Sequence, residues 1–99
     1  MTKKVGLQVN GNPITLDYFV QSFVDHTVRG MIESLENTEP VEQLVMTIDD
    51  GKVTILLNGK NVSANAFVGK IFTSTVAGMV APLKGVTAAL KTARIEIEQ

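Results

Sequence analysis

Two side chains in this sequence are suited to proton transfer or polar recognition: His26, the single histidine, and Tyr18, the single tyrosine. A metal at His26 would need a second ligand three or four residues away on a helix. Those places hold Ser22, Phe23, Arg29 and Gly30, and none of them supports one. Asp25 is adjacent to His26, but neighbouring helix residues point apart, so the two do not form an acid/base pair. No hydroxyl is spaced from a base as an activated nucleophile requires. His26 therefore reads as a solvated side chain and Tyr18 as a half-buried amphipathic one, the weak catalytic candidates of a chain with no catalytic constellation. Asn10-Gly11 and Asn58-Gly59, the latter followed by Lys60, mark turns ahead of helices, where free N–H groups could meet an anion. No glycine-rich phosphate loop accompanies them.

The composition narrows the field further. The chain has 99 residues, 44% hydrophobic and 19% charged, as expected of one globular domain spanning residues 1–99. There is no cysteine, which excludes disulfides, thiolate nucleophiles and cysteine-held metals. No cofactor is expected. Net charge is −1, but it is unevenly spread. Residues 1–48 carry three basic and six acidic side chains, net −3. Residues 51–99 carry six basic and two acidic, net +4, and Asp49 and Asp50 supply the rest. The basic half has one arginine, and its two aromatics, Phe67 and Phe72, fall on the predicted core side, so no nucleic-acid surface is expected. The most apolar stretch, Phe67 to Leu83, is interrupted by Lys70, Gly78 and Pro82 and falls short of the ~20 residues a membrane span needs. With no signal peptide visible, a cytoplasmic location is expected.

The elements that must position these residues come from an internal repeat. Residues 5–36 align without a gap on residues 53–84. Val5/Val53, Asn10/Asn58, Gly11/Gly59, Phe19/Phe67 and Val20/Val68 are identical, as are Thr27/Thr75, Val28/Val76, Gly30/Gly78, Met31/Met79 and Leu35/Leu83. After one inserted residue, Leu44–Ile48 fall on Ala93–Ile97. Two copies, about residues 5–49 and 52–99, imply a duplicated unit with pseudo-two-fold symmetry.

Each copy reads strand, helix, strand. Val5, Leu7 and Val9, like Val53, Ile55 and Leu57, alternate with other residues at the period of a half-buried strand. Leu16, Phe19, Val20, Phe23, Val24, Val28, Met31, Ile32 and Leu35 recur at helical spacing, and Phe67, Val68, Ile71, Phe72, Val76, Met79, Val80 and Leu83 do so in the second copy. Thr15 and Ser63 are the expected N-caps, because Ile14/Phe19 and Val62/Phe67 then form hydrophobic staples; Asp17 and Asn65 are the alternatives. Asn37 and Gly85 are the expected C-terminal stops, giving helices of about 20 residues. Asp50-Gly51 predicts a hairpin pairing Ile48 with Val53, Met46 with Ile55 and Leu44 with Leu57.

This α+β pattern, βαββαβ, resembles the ferredoxin-like split βαβ duplication. The resemblance implies a four-stranded antiparallel sheet of order 4-1-3-2 with two long helices on one face. Gly30 and Gly78 lie mid-helix, where glycine costs about 1 kcal/mol against alanine, and are expected to mark a close helix–helix contact. Away from the sheet the first helix is expected to show Asp17, Gln21, Asp25, Arg29, Glu33 and Glu36 to solvent, and the second only Gly69, Thr73, Ala77 and Ala81. A helix face so poor in charge is usually covered, so this row is the expected oligomer interface. The leading expectation is a small, non-catalytic, homo-oligomeric module, first of all a dimer, that binds a partner or small ligand. The alternatives are a cofactor-independent enzyme of dimeric α+β barrel type and a subunit docking a partner or membrane surface through its second helix. The enzyme reading expects Tyr18 or His26 to enter a pocket on a concave, apolar outer sheet face, against which the polar Gln8, Thr47, Thr54, Arg94 and Glu96 argue.

Overall fold

A computed structural model describes residues 4–35 and 38–99. In chain order the elements are β1 (Lys4–Val9), β2 (Asn12–Pro13), α1 (Tyr18–Glu33), β3 (Gln43–Asp49), β4 (Lys52–Leu57), β5 (Lys60–Val62), α2 (Ala66–Val80) and β6 (Thr92–Glu98). Four elements of the first half recur in the second: β1, β2 and α1 begin 48 residues before β4, β5 and α2, and β3 begins 49 before β6.

The sheet is not the expected one. It is a single open antiparallel sheet of six strands in the order β2-β1-β6-β3-β4-β5. Among the four long strands, β6 and β3 are central, whereas order 4-1-3-2 would make β1 and β4 central. The crossover rule does not choose between the two. In both orders each strand–helix–strand unit passes over one intervening strand in the same sense, so both satisfy the same handedness. The choice is made by the Asn-Gly turns. Asn10 and Gly11 have φ of 51° and 81°, and Asn58 and Gly59 have φ of 52° and 82°, so each pair supplies the two positive φ values of a type I′ hairpin. Each turn folds a short strand onto the outer edge of the strand before it. Gln8 and Val9 pair with Pro13 and Asn12, and Ile55, Leu56 and Leu57 pair with Val62, Asn61 and Lys60. One end of each of those edges is thus occupied, at Gln8–Val9 of β1 and Ile55–Leu57 of β4, which keeps a second long strand from pairing along the whole of either. The new edges, β2 and β5, are very short and carry Pro13 and Lys60, which discourages edge-to-edge pairing.

The central hairpin has the register that its alternation predicts, with Ile48 opposite Val53, Met46 opposite Ile55 and Leu44 opposite Leu57. The row continues across the sheet: Leu7 faces Ile95, Ile95 faces Met46, and Met46 faces Ile55. This side packs into one core with Val24, Val28 and Ile32 of α1 and Phe72, Val76 and Val80 of α2.

Both helices begin two residues later than the Thr15 and Ser63 caps would have them. Asp17 and Asn65 are the caps, and their side chains accept from the N–H of Val20 and Val68 at 2.8 Å each. The staples lose because Asn12–Pro13 and Lys60–Val62 are spent on the hairpins. α1 has 16 residues and α2 15, not about 20. α2 stops at Val80, before Pro82 could break it, while Gly85 lies beyond the helix with φ of 96°. Asn37, the expected stop of α1, falls outside the described residues.

Candidate functional site

Tyr18, Gln21, Ser22, Asp25, His26 and Arg29 recur at helical spacing along one flank of α1, and with Val5 of β1 they line a groove of about 360 Å³. The two weak candidates from the sequence, Tyr18 and His26, thus share one depression. It lies beside the helix rather than on the outer face of the sheet. Tyr18 is 88% exposed at its rim. Asp25, expected on a solvated face, is instead buried at 5% exposure. Arg29, four residues on, holds its carboxylate with Nη2 at 2.6 Å from Oδ1. A carboxylate so placed needs its partner, because an uncompensated buried charge costs several kcal/mol.

The groove does not assemble a nucleophile. Ser22 Oγ lies 3.5 Å from His26 Nδ1, longer than the 2.6–3.2 Å an activated pair needs. Asp25, the carboxylate that could orient the imidazole, bonds Arg29 instead. The described residues bring to the groove a phenol, an amide, a hydroxyl and an imidazole, with the guanidinium of Arg29 held by Asp25.

A second surface crosses the helical layer. Phe19 and Phe23 of α1 are 70% and 49% exposed, and Phe67 and Ile71 of α2 are 68% and 44% exposed. All four were expected on the sheet side. Each apolar stripe is wider than the sheet can cover: Val24, Val28 and Ile32 in α1, and Phe72, Val76 and Val80 in α2, turn inward and leave one border of the stripe outside. Phe19 and Phe23 stack at 6.1 Å between ring centroids. Together with Val20 and Val24 they form one wall of an apolar groove of about 170 Å³, whose other wall is Met79, Pro82 and Leu83.

The row expected to face away from the sheet lies differently. Gly69 is buried, and a Cβ there would sit 3.7 Å from the Gly51 carbonyl oxygen in the β3–β4 turn. Thr73 and Ala77 are half-buried, Thr73 Oγ1 has no hydrogen-bond partner among the described residues, and only Ala81 is exposed. The outward row of α2 is Phe67, Ile71, Ser74 and Gly78. Gly30 and Gly78 are exposed, and a Cβ added at either would meet nothing within 4 Å among the described residues. The chain itself does not bring them into a close helix contact.

The outer sheet face is mixed. Gln8, Thr54 and Arg94 are exposed, Thr47 and Glu96 are half-buried, and Arg94 pairs with Glu96 at 2.8 Å. The Asn-Gly turns are not at helix N-termini, since β2 and β5 intervene. Among the described residues no group of three or more His, Asp or Glu side chains could hold a metal. No described helix is long and apolar enough to cross a membrane.

With fold and surfaces defined, comparison with known proteins finds no matching family model, no match among curated proteins and no match among solved structures.

Proposed function

We propose that this chain is a small, non-catalytic module that assembles with a second copy of itself through its helical layer. The observation that carries the reading is the exposure of Phe19, Phe23, Phe67 and Ile71 on adjoining helices. Apolar area removed from water is worth about 25 cal/mol per Å², and exposed apolar side chains at both ends of the helical layer offer such area to a partner laid along it. The repeat argues for a second copy as the occupant. Phe19 and Phe67 are equivalent positions, as are Phe23 and Ile71, so each helix offers a surface like its neighbour's. Exposed Glu33 of α1 and exposed Lys70 of α2 add attraction between copies placed with unlike helices together. Light scattering across a concentration series tests this. A dimer that Phe23→Glu converts to monomer is expected; a wild-type monomer at every concentration contradicts it.

The groove beside α1 favours a second reading, a small cofactor-independent enzyme or ligand-binding protein, because it gathers Tyr18 and His26. Native mass spectrometry separates the two readings, since only this one expects a retained small molecule that is lost in His26→Ala.

A further inference from the structure

We infer that two copies pack helix layer on helix layer with α1 of each against α2 of the other, and that Gly30 and Gly78 are notches receiving side chains of the second copy. The inference rests on the assembly reading above and fixes its geometry.

Mid-helix glycine is costly, yet among the described residues nothing lies within 4 Å of where a Cβ would sit on either glycine. Phe23 precedes Gly30 by seven residues, and Ile71 precedes Gly78 by seven, so each outward helix face carries one protruding side chain and one notch two turns later. The helices run antiparallel side by side, since Phe19 and Phe23 line a groove with Met79, Pro82 and Leu83. Phe23 is therefore level with the Gly78 region, and Gly30 with the Ile71 region. A two-fold axis between the layers and parallel to the helices lays α1 of one copy over α2 of the other at unchanged level. Phe23 then meets Gly78 of the second copy, and Ile71 meets Gly30. An axis perpendicular to the helices would instead lay α1 on α1 and also bring Phe23 to Gly30.

Charge decides between the two. With α1 on α2, exposed Glu33 comes level with exposed Lys70 of the second copy. With α1 on α1, Glu33 comes level with Gln21 and meets no opposite charge. The first arrangement is the complementary one.

The chain has no cysteine of its own, so single cysteines report the packing directly. His26 and Ser74 are exposed and equivalent in the repeat. His26→Cys and Ser74→Cys chains, differently tagged, are co-expressed, purified and oxidised. Mixed disulfide dimers are expected, with neither variant cross-linking when alone. Self-linking of His26→Cys alone would mean α1 on α1 and overturn the inference. A dimer by light scattering with no cross-link in any combination would place the interface elsewhere, overturning this geometry but not self-assembly; a monomer would overturn both. As a second readout, Gly78→Leu fills the notch and is expected to weaken dimerisation roughly tenfold or more, the order of an overpacked contact. Unchanged dimerisation in Gly78→Leu would also overturn the inference.

Discussion

Asn10 and Asn58 hold equivalent places in the two halves and make the same bonds. Asn10 Oδ1 accepts from the backbone N–H of Lys91 and Thr92 at 2.8 and 3.1 Å, and Asn58 Oδ1 accepts from Glu42 and Gln43 at 3.0 and 2.9 Å. Their amide nitrogens donate to the carbonyls of Ala89 and Pro40, both at 3.0 Å. Each asparagine thus turns an edge hairpin and ties it to the segment that enters a central strand, Asn10 at β6 and Asn58 at β3. These bonds fix which strand lies beside which.

Replacing either asparagine removes these bonds and the left-handed preference together. Asn10→Ala is expected to destabilise by roughly 2–3 kcal/mol, and Asn10→Gly, which keeps the turn, by about 1 kcal/mol less. Urea denaturation of the two variants measures the difference. Equal losses would mean that only the hydrogen bonds matter.

The helix caps are separable in the same way. Asp17→Ala and Asn65→Ala should each cost about 1 kcal/mol, as cap removal does. Thr15→Ala and Ser63→Ala, outside the first turn, should stay within about 0.5 kcal/mol of the parent. The opposite ranking in thermal denaturation would restore the earlier helix starts.

Arg29→Ala removes the guanidinium paired with the Asp25 carboxylate, itself buried at 5% exposure, and is expected to cost about 3 kcal/mol. The double replacement Asp25→Leu with Arg29→Leu should cost less than Arg29→Ala alone, because no buried charge remains. A double replacement worse than the single one would show that the pair matters for more than charge compensation.

Gly30→Ala meets no described residue within 4 Å and should stabilise the isolated chain by about 1 kcal/mol through helix propensity. Urea denaturation at low concentration, where assembly is negligible, gives the value. A loss of stability there would mean that the glycine serves the folding of the single chain.

The sequence carries more of the elements than of their arrangement. The β3–β4 register is readable because Asp50-Gly51 fixes the turn and alternation fixes the faces: a slip of one residue would expose Met46 and Ile55. The repeat is readable because Asn10-Gly11 and Phe19-Val20 return at Asn58-Gly59 and Phe67-Val68. Strand order is not, because crossover handedness permits two orders. The Asn-Gly pairs held the missing signal, since that dipeptide is a hairpin turn and not merely a bend before a helix. Periodicity places Phe19 and Phe67 on an apolar stripe, but the stripe's covered width depends on how each helix sits on the sheet. Asp25 reads as solvent-facing from its charge, although Arg29 at the next turn is the partner that permits its burial. The groove joining Tyr18 to His26 needs Val5 from β1, a juxtaposition that helical spacing alone does not contain.

The most direct measurement is the molecular mass in solution of the parent chain and of Phe23→Glu, by light scattering over a wide concentration range. Assembly through the helical layer gives twice 10.7 kDa for the parent at the upper concentrations and 10.7 kDa for the variant, with both equally folded by circular dichroism. A parent of 10.7 kDa throughout, or a variant that remains dimeric, would contradict assembly through the helical layer.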